Sequence, residues 1–224
     1  MREKLGVSAE IISADSRAIY KYMDIGTAKP AAEEQREVKH HGIDLVEPSE
    51  RFTVADWKKY AEEKIVEIEA RGAVPMVVGG TGLYIDALVM NYQFTKEAKE
   101  RQLDRARGNC INYLLIGVKT DTQELRERLR ERVNKMFVQE LFSETEFLVE
   151  KYGWGSQAMK SDIYEYAWKY MQGELSLEKA KELAFYEDWH LAKRQMTWFK
   201  RNPKILWTEL SKIPETVLKW IQDE

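Results

Sequence analysis

The sequence predicts an α/β fold with parallel strands, and three stretches carry that prediction. Residues 10–13, 74–78 and 113–118 are apolar runs of strand length, rich in β-branched residues. Each run ends in a polar or glycine-rich turn, and helical patterns separate the runs, as in folds built on a parallel sheet. The unbroken apolar character of residues 74–78 further predicts a strand that is covered on both faces.

Caps and turns place the other elements of the first half. Residues 40–46 are expected to form a second short strand. Ser49 or Thr53 can cap a helix over residues 54–71, because hydroxyl side chains accept from the free amides of a first helical turn. Gly72 then ends this helix.

Charge, caps and apolar periodicity predict the elements of the second half. A charged segment predicts a helix over residues 96–107, and Thr120 or Asp121 caps a long helix further on. The apolar residues of that long helix share one face, towards the core: Leu125, Leu129, Val133 and Met136. Ser176 caps another helix, and residues 204–208 are expected to form a final short strand.

Four arginines alternate with acids on the long helix. They are Arg126, Arg128, Arg130 and Arg132, interleaved with Glu124, Glu127 and Glu131. This pattern favours a solvated face with ion pairs between residues four apart. The alternative is that one or two of these arginines face a phosphate.

Composition excludes several classes of protein. The 224 residues are 44% hydrophobic and 33% charged, which is typical of a folded globular chain. A net charge of −3 excludes a protein that is basic throughout, although a local basic stripe suffices to bind nucleic acid. Cys110 is the single cysteine, so an intrachain disulfide is excluded and a reducing compartment is expected. No apolar run approaches the roughly 20 residues of a membrane span, so we expect a cytoplasmic protein.

A polar cluster stands at the end of the first predicted strand. Asp15, Ser16 and Arg17 place an acid, a hydroxyl and a cation where parallel α/β sheets bind ligands. Asp15 can be a general base, or Asp15 or Ser16 can simply cap the next helix, and position alone leaves both open. The irregular segment at residues 23–30 favours function, because such stretches are seldom plain connectors.

A glycine-rich turn, Gly79-Gly80-Thr81-Gly82, follows the strand at residues 74–78. Glycines let the backbone approach a phosphate, and the amides of the next helix favour an anion. A tight strand-to-helix turn explains the same residues equally well. The turn is not a Walker A sequence, because no lysine follows its last glycine.

Residues 189–201 interleave cations with aromatic side chains. Lys193 and Arg194 belong to this stretch, which is suited to an RNA backbone and unstacked bases. An ordinary amphipathic helix with Trp198 and Phe199 in the core is favoured when the pattern is taken alone.

Together these stretches resemble the tRNA dimethylallyltransferase (tRNA isopentenyltransferase) family. The matching pieces, in the family's order, are residues 12–17 with 23–30, 41–48, 78–84 and 192–199. The resemblance implies a fold related to P-loop nucleotide kinases, with a three-layer parallel sheet and a helical C-terminal part. Residues 1–120 and 174–224 would then form the catalytic core, with residues 121–173 as a helical segment packed on it.

The resemblance also implies an activity. A dimethylallyl group would pass from dimethylallyl diphosphate to the exocyclic amine of the adenine next to the tRNA anticodon, with Mg²⁺ assisting and the enzyme a monomer. Asp15 would be the general base, and Thr81 would hydrogen-bond the oxygen joining diphosphate to allyl carbon. The implied tRNA contacts are Asp15, Ser16, Arg17, Ala18, Thr81, Lys193, Arg194 and Gln195. The implied diphosphate contacts are Gly79, Gly80, Gly82 and Arg194, and no metal ligand is implied.

The sequence departs from the family pattern in three places. The family opens with a strand and a P-loop bearing a lysine and a hydroxyl, and this sequence contains no such loop. Residues 91–112 stand in place of a longer tRNA-gripping insertion, and Asp188-Trp189 replaces a Thr-Arg pair found in many members.

These departures lead to specific expectations. Without the first strand, two strands would lack a partner between them. We therefore expect either a fragment or a divergent chain, with little transferase activity of its own. The competing hypothesis is an RNA-binding protein without turnover; a small-molecule kinase is disfavoured, because the sequence has no Walker lysine.

Overall fold

The computed structural model describes residues 8–94 and 112–222, apart from Gln157 and Lys160. The strands within these residues are β1 (Ala9–Ser13), β2 (His40–His41), β3 (Val74–Val78), β4 (Ile116–Val118) and β5 (Leu206–Thr208). The helices are α1 (Ala32–Glu37), α2 (Val54–Ala70), α3 (Gly82–Val89), α4 (Thr122–Met136), α5 (Gln139–Tyr152), α6 (Asp162–Met171), α7 (Leu177–Phe199) and α8 (Ile213–Gln222). A 3₁₀ turn spans Leu210–Lys212. The helix predicted at residues 96–107 lies outside the described residues.

β1 is the centre of a three-stranded parallel sheet in the order β2-β1-β3. Ile12 lies opposite His41 on one side and Val77 on the other, and its side chain is fully buried. Parallel strands end at the same edge of a sheet, so the turns that follow Ser13 and Val78 are neighbours. The register therefore places Asp15 and the glycine-rich turn side by side at one edge of the sheet.

The parallel strands form two sheets, where the family resemblance implies one. β4 and β5 pair with each other, and neither β3 nor β4 has a second strand partner in the described part of the chain. Val74 and Val78, at the two ends of β3, are 40% and 49% exposed. The prediction that residues 74–78 are covered on both faces is therefore wrong at the ends of β3, where the side chains are not covered by a packed layer of the described residues.

Two predicted strands are shorter than expected. β2 ends at His41 because Gly42 and Asp44 both adopt positive φ angles, +80° and +55°, which turn the chain. An isolated parallel bridge between Tyr20 and Val46 is all that continues the pairing. β4 begins at Ile116, three residues after the predicted start.

The predicted helix caps are confirmed. Thr53 caps α2 through a reciprocal pair of bonds, in which Asp56 N donates to Thr53 Oγ1 at 3.3 Å and Thr53 N donates to Asp56 Oδ2 at 2.8 Å. Asp121 caps α4, and Ser176 caps α7. α7 runs unbroken for 23 residues and carries the basic and aromatic stretch.

Buried side chains form two clusters. One lies between the three-stranded sheet, α2 and α3, around Ile12 and Trp57. The other joins α4, α5, α6 and the first half of α7, and it takes in Tyr20 and Met23 from the segment after β1. In the described part of the chain, no helix is long and apolar enough to cross a bilayer.

Candidate active site

Asp15 leaves β1 and folds back on its own backbone. The amide of Arg17 donates to Asp15 Oδ1 at 2.7 Å, which forms an Asx-type turn. The side chain is half-buried, and its Oδ2 makes no hydrogen bond within the described residues. One oxygen therefore fixes the orientation of the carboxylate, while the other can accept a proton from a ligand.

Thr81 hydrogen-bonds to Ala14 and Ser16, the two residues on either side of Asp15. Its amide donates to the Ala14 carbonyl at 3.1 Å, and its Oγ1 accepts from the Ser16 amide at 3.0 Å. The Thr81 hydroxyl also lies within 3.3 Å of Ser16 Oγ, to which it donates. Because the Ser16 amide occupies one lone pair of Oγ1, rotation of the hydroxyl can redirect its proton to a ligand oxygen.

Each glycine of the turn allows a close approach. A β-carbon at Gly79 would collide with the Ala14 carbonyl, because the backbones that leave β1 and β3 lie close together there. A β-carbon at Gly80 would collide with the Gln195 amide, and one at Gly82 with the Trp198 ring. Packing thus accounts for all three residues, and the tight-turn interpretation needs no phosphate.

α7 is docked on this turn by Gln195 and Trp198. Trp198 Nε1 donates to Asp86 Oδ2 at 2.9 Å, and Arg201 stacks on the outer face of the indole, 4.2 Å from its centre. Burial raises the pKa of the Asp86 carboxyl, and the Trp198 hydrogen bond partly offsets that rise. α7 is therefore fixed to α3 immediately beside Thr81.

The other predicted contacts on α7 are exposed. Lys193 Nζ lies 5.7 Å from the Trp189 ring, and Arg194 is likewise open to solvent. Among the predicted contacts at residues 193–195, Gln195 is the one that meets the glycine turn. Helical spacing explains the difference for Lys193, which lies two residues from Gln195 and therefore on a different face of α7.

Arg17 and Ala18 occupy different surroundings. Arg17 is half-buried, and its Nη1 donates to the Ala158 carbonyl at 3.4 Å. Ala18 is only 4% exposed, and its carbonyl accepts from the Asp44 amide at 3.1 Å. Because both its side chain and its carbonyl are occupied internally, Ala18 supports the segment from behind and does not line an open surface.

The segment at residues 23–30 is held by two charged side chains, Glu144 and Lys29. The Glu144 carboxylate accepts from the amides of Asp24, Ile25 and Gly26 at 2.9 to 3.1 Å, and from the Tyr164 hydroxyl at 2.7 Å. Lys29 Nζ donates to the Tyr20 carbonyl and to two carboxylates, and its side chain is 4% exposed. The irregular segment is therefore rigidly organised.

Comparison with known proteins decides the family. The model of the IPP transferase family matches residues 18–110 and 94–202. A tRNA dimethylallyltransferase from Acetivibrio thermocellus is 35% identical over 260 residues, which cover 89% of this chain and 83% of that protein. One from Bacillus subtilis is 31% identical, covering 95% and 86% of the two chains. This chain belongs to the tRNA dimethylallyltransferase family.

Solved structures of the family have the same fold. The tRNA isopentenylpyrophosphate transferase from Staphylococcus epidermidis superposes with a TM-score of 0.84 at 28% identity, over all of this chain and 93% of that one. The full-length enzyme from Bacillus halodurans gives 0.85 at 27% identity, over 99% and 89%. The mixed α/β architecture with parallel strands is therefore that of tRNA dimethylallyltransferases, a family of prenyltransferases.

The described residues do not fit a magnesium site built by protein side chains alone. No group of three or more His, Cys, Asp or Glu side chains converges within this part of the chain. Mg²⁺ prefers near-octahedral oxygen ligands and is commonly held by one or two carboxylates together with substrate phosphates.

The departure at Asp188-Trp189 has a structural consequence. Asp188 Oδ2 is buried without a hydrogen bond, and Arg132 Nη1 lies 3.7 Å away. Burial raises the pKa of the Asp188 carboxyl, and nearby Arg132 lowers it in part. The Trp189 ring in turn is faced by Arg126 at 5.2 Å, so Trp189 contributes packing between α4 and α7.

Glu144 and Asp86 support the site but were not predicted from the sequence. Glu144 is one of several acids on α5, and only the tertiary fold shows that it meets the loop amides. Asp86 stands in an otherwise apolar helix, and this isolated acid was a signal that it needed a buried partner.

Proposed function

We propose that this chain transfers a dimethylallyl group from dimethylallyl diphosphate to the exocyclic amine of the adenine next to the anticodon of a tRNA. The observation that carries the proposal is the hydrogen-bonded junction of the two turns, in which Thr81 bonds both neighbours of Asp15. A carboxylate and a hydroxyl thereby lie on adjacent turns at the same edge of the sheet. Membership of the family supplies the chemistry that such a pair serves.

The transfer makes one bond and breaks one. The adenine nitrogen bonds to the first allyl carbon, whose bond to the diphosphate oxygen breaks with both electrons leaving on the diphosphate. Asp15 takes the proton that the amine loses. The adenine must leave its stack to reach this carboxylate, at a cost of about a few kcal/mol.

Thr81 acts on the leaving group. As the allylic carbon becomes cationic, negative charge grows on the bridging oxygen, and a preorganised donor stabilises it more in the transition state than in the ground state. The Ser16 amide, already bonded to Thr81 Oγ1, polarises the hydroxyl and strengthens it as a donor.

The direct test is incubation of the chain with labelled dimethylallyl diphosphate and an unmodified tRNA, followed by nuclease digestion and analysis of the nucleosides. The proposal predicts label in a prenylated adenosine from the position next to the anticodon. Label elsewhere, or none after many hours at saturating substrates, would contradict it.

A second function, tRNA binding without turnover, is favoured by one observation. Lys193 and Arg194 are exposed on the basic and aromatic stretch of α7, where cations can contact an RNA backbone. The same incubation separates the two functions when tRNA affinity is measured in parallel. Binding with no label transferred would select the second.

A further inference from the structure

The alternating arginines of α4 separate onto two faces with different surroundings. Arg126 and Arg130 lie over aromatic rings of α7, with Arg130 Cζ 4.9 Å from the Phe185 centroid. Arg128 and Arg132 line a cavity on another side of α4, and Lys135 lines the same cavity one turn further on. We name Arg128, Arg132 and Lys135 the α4 ridge. Its three members span about 10 Å of helix axis.

The α4 ridge borders a cavity of about 470 Å³ whose opposite wall is the segment at residues 24–29. That wall is rigid, because the Glu144 carboxylate and the Lys29 amine hold it from behind. Four cations line the cavity against two carboxylates, Asp24 and Glu131. Since Asp24 is paired with Lys29 at 2.7 Å, Glu131 is the lining acid that remains to oppose the ridge.

The ridge cations are only lightly engaged. Arg128 makes a single ion pair with Glu124 on its own helix at 2.6 Å, and its side chain is 54% exposed. Arg132 is 43% exposed and lies 3.7 Å from Asp188 without a hydrogen bond between them. Lys135 has no ion pair among the residues that the structure describes. The exposed Arg128–Glu124 pair contributes little to stability, so Arg128 and Lys135 can engage another anion, whereas Arg132 also neighbours the buried Asp188.

The ridge is also connected to the candidate active site. Arg132 lies beside Asp188 of α7, and seven residues further along the same helix Gln195 meets the glycine turn. Seven residues correspond to about 10 Å of helix. About two turns of α7 therefore lie between its contact with Arg132 and its contact with the glycine turn, which puts the ridge and the turn along the same helix.

From this arrangement we infer that the α4 ridge binds the phosphate backbone of the substrate tRNA close to the modified nucleotide. The inference rests on the proposed function for its choice of ligand. The contacts are electrostatic and do not read sequence, because the ridge offers cations to phosphates and no shaped surface to bases. Their effect is to hold the anticodon loop while the adenine occupies the opening beside Asp15.

The test compares two double variants by fluorescence anisotropy with labelled tRNA over a range of salt concentrations. Arg128→Gln/Lys135→Gln removes two exposed ridge cations. Lys59→Gln/Lys179→Gln is the matched control, since these lysines are also exposed and ion-paired within their own helices, but on α2 and at the start of α7. Thermal melts of both variants are expected to match the unmodified chain.

We expect the ridge variant to bind tRNA about threefold to tenfold more weakly at low salt, and its plot of log affinity against log salt to be shallower by about one to two. The control is expected to keep the parent affinity and slope. Equal affinity in ridge variant and parent, or equal losses in both variants, would overturn the inference. The proposed function is tested separately, by prenyl transfer in the parent chain. If the ridge variant binds tRNA more weakly but the parent chain transfers no prenyl group, the function is refuted and the inference about the ridge is retained.

Discussion

At the scale of single residues, the site depends on the Thr81 hydroxyl. Its oxygen is fixed by a hydrogen bond, while its proton can still be donated to a ligand. Thr81 Oγ1 accepts from the Ser16 amide at 3.0 Å, so the position of the oxygen is set before any ligand arrives. Its proton, by contrast, is committed only to a long 3.3 Å contact with Ser16 Oγ. A donor arranged in this way needs little reorganisation when charge develops nearby.

Substitution of Thr81 tests that role. Thr81→Ala removes the donor and is expected to slow prenyl transfer roughly tenfold to a hundredfold, the range for a hydrogen bond to a charged group. Thr81→Ser keeps the hydroxyl and is expected to stay within about threefold of the parent rate. The measurement is the transfer rate at saturating substrates. Equal losses in both variants would show that the methyl group, and not the hydroxyl, is what the site needs.

At the scale of elements, the docking of α7 on the glycine turn decides where Thr81 sits. Gly82→Ala would drive a β-carbon into the Trp198 ring and so push α7 away from α3. We expect a loss of about 1–3 kcal/mol in the free energy of unfolding. Gly155→Ala is the control, because Gly155 has open space around it and no positive φ. Denaturant melts of both variants measure the difference, and equal stability would contradict the packing account.

Elements with strong local signals were predictable from the sequence, and those that depend on distant neighbours were not. The caps at Thr53, Asp121 and Ser176 were predicted because a hydroxyl or carboxyl before a helical pattern is a local feature. The end of β2 was missed, since the left-handed conformation of Asp44 is imposed by contacts with the segment after β1. The turns after β1 and β3 were predicted as separate features, and only the register of the sheet shows how closely they meet.

At the scale of the whole molecule, the buried Glu10 side chain connects several elements of the three-stranded sheet and its neighbouring helix. Glu10 of β1 accepts from Arg71 Nη2 at 2.8 Å and lies 2.6 Å from His41 Nε2. The Arg71 hydrogen bond, followed by that of His41, lowers the pKa of Glu10 from 4.5 to about 2. Both partners come from elements on either side of β1, so the carboxylate links β2, β1 and the end of α2.

The lowered pKa makes this link sensitive to acid. Because the folded pKa lies below the unfolded value, the stabilisation is complete above pH about 4.5 and is lost as pH falls towards about 2. Glu10→Gln is therefore expected to lower the melting temperature at pH 7 and to flatten its decline between those two pH values. Melting curves across that range measure both effects. A decline as steep as in the parent chain would assign the acid sensitivity to other carboxylates.

The central claim is that Asp15 is the base of a prenyl transfer carried out at the junction of two strand ends. The most direct measurement is the single-turnover rate of Asp15→Asn with saturating dimethylallyl diphosphate and tRNA, together with its tRNA affinity. The account predicts a rate lower by about 10²–10⁴-fold, the usual contribution of a general base, with tRNA affinity changed less than about twofold. A rate equal to that of the parent chain, or a loss matched by a loss of tRNA affinity, would contradict it.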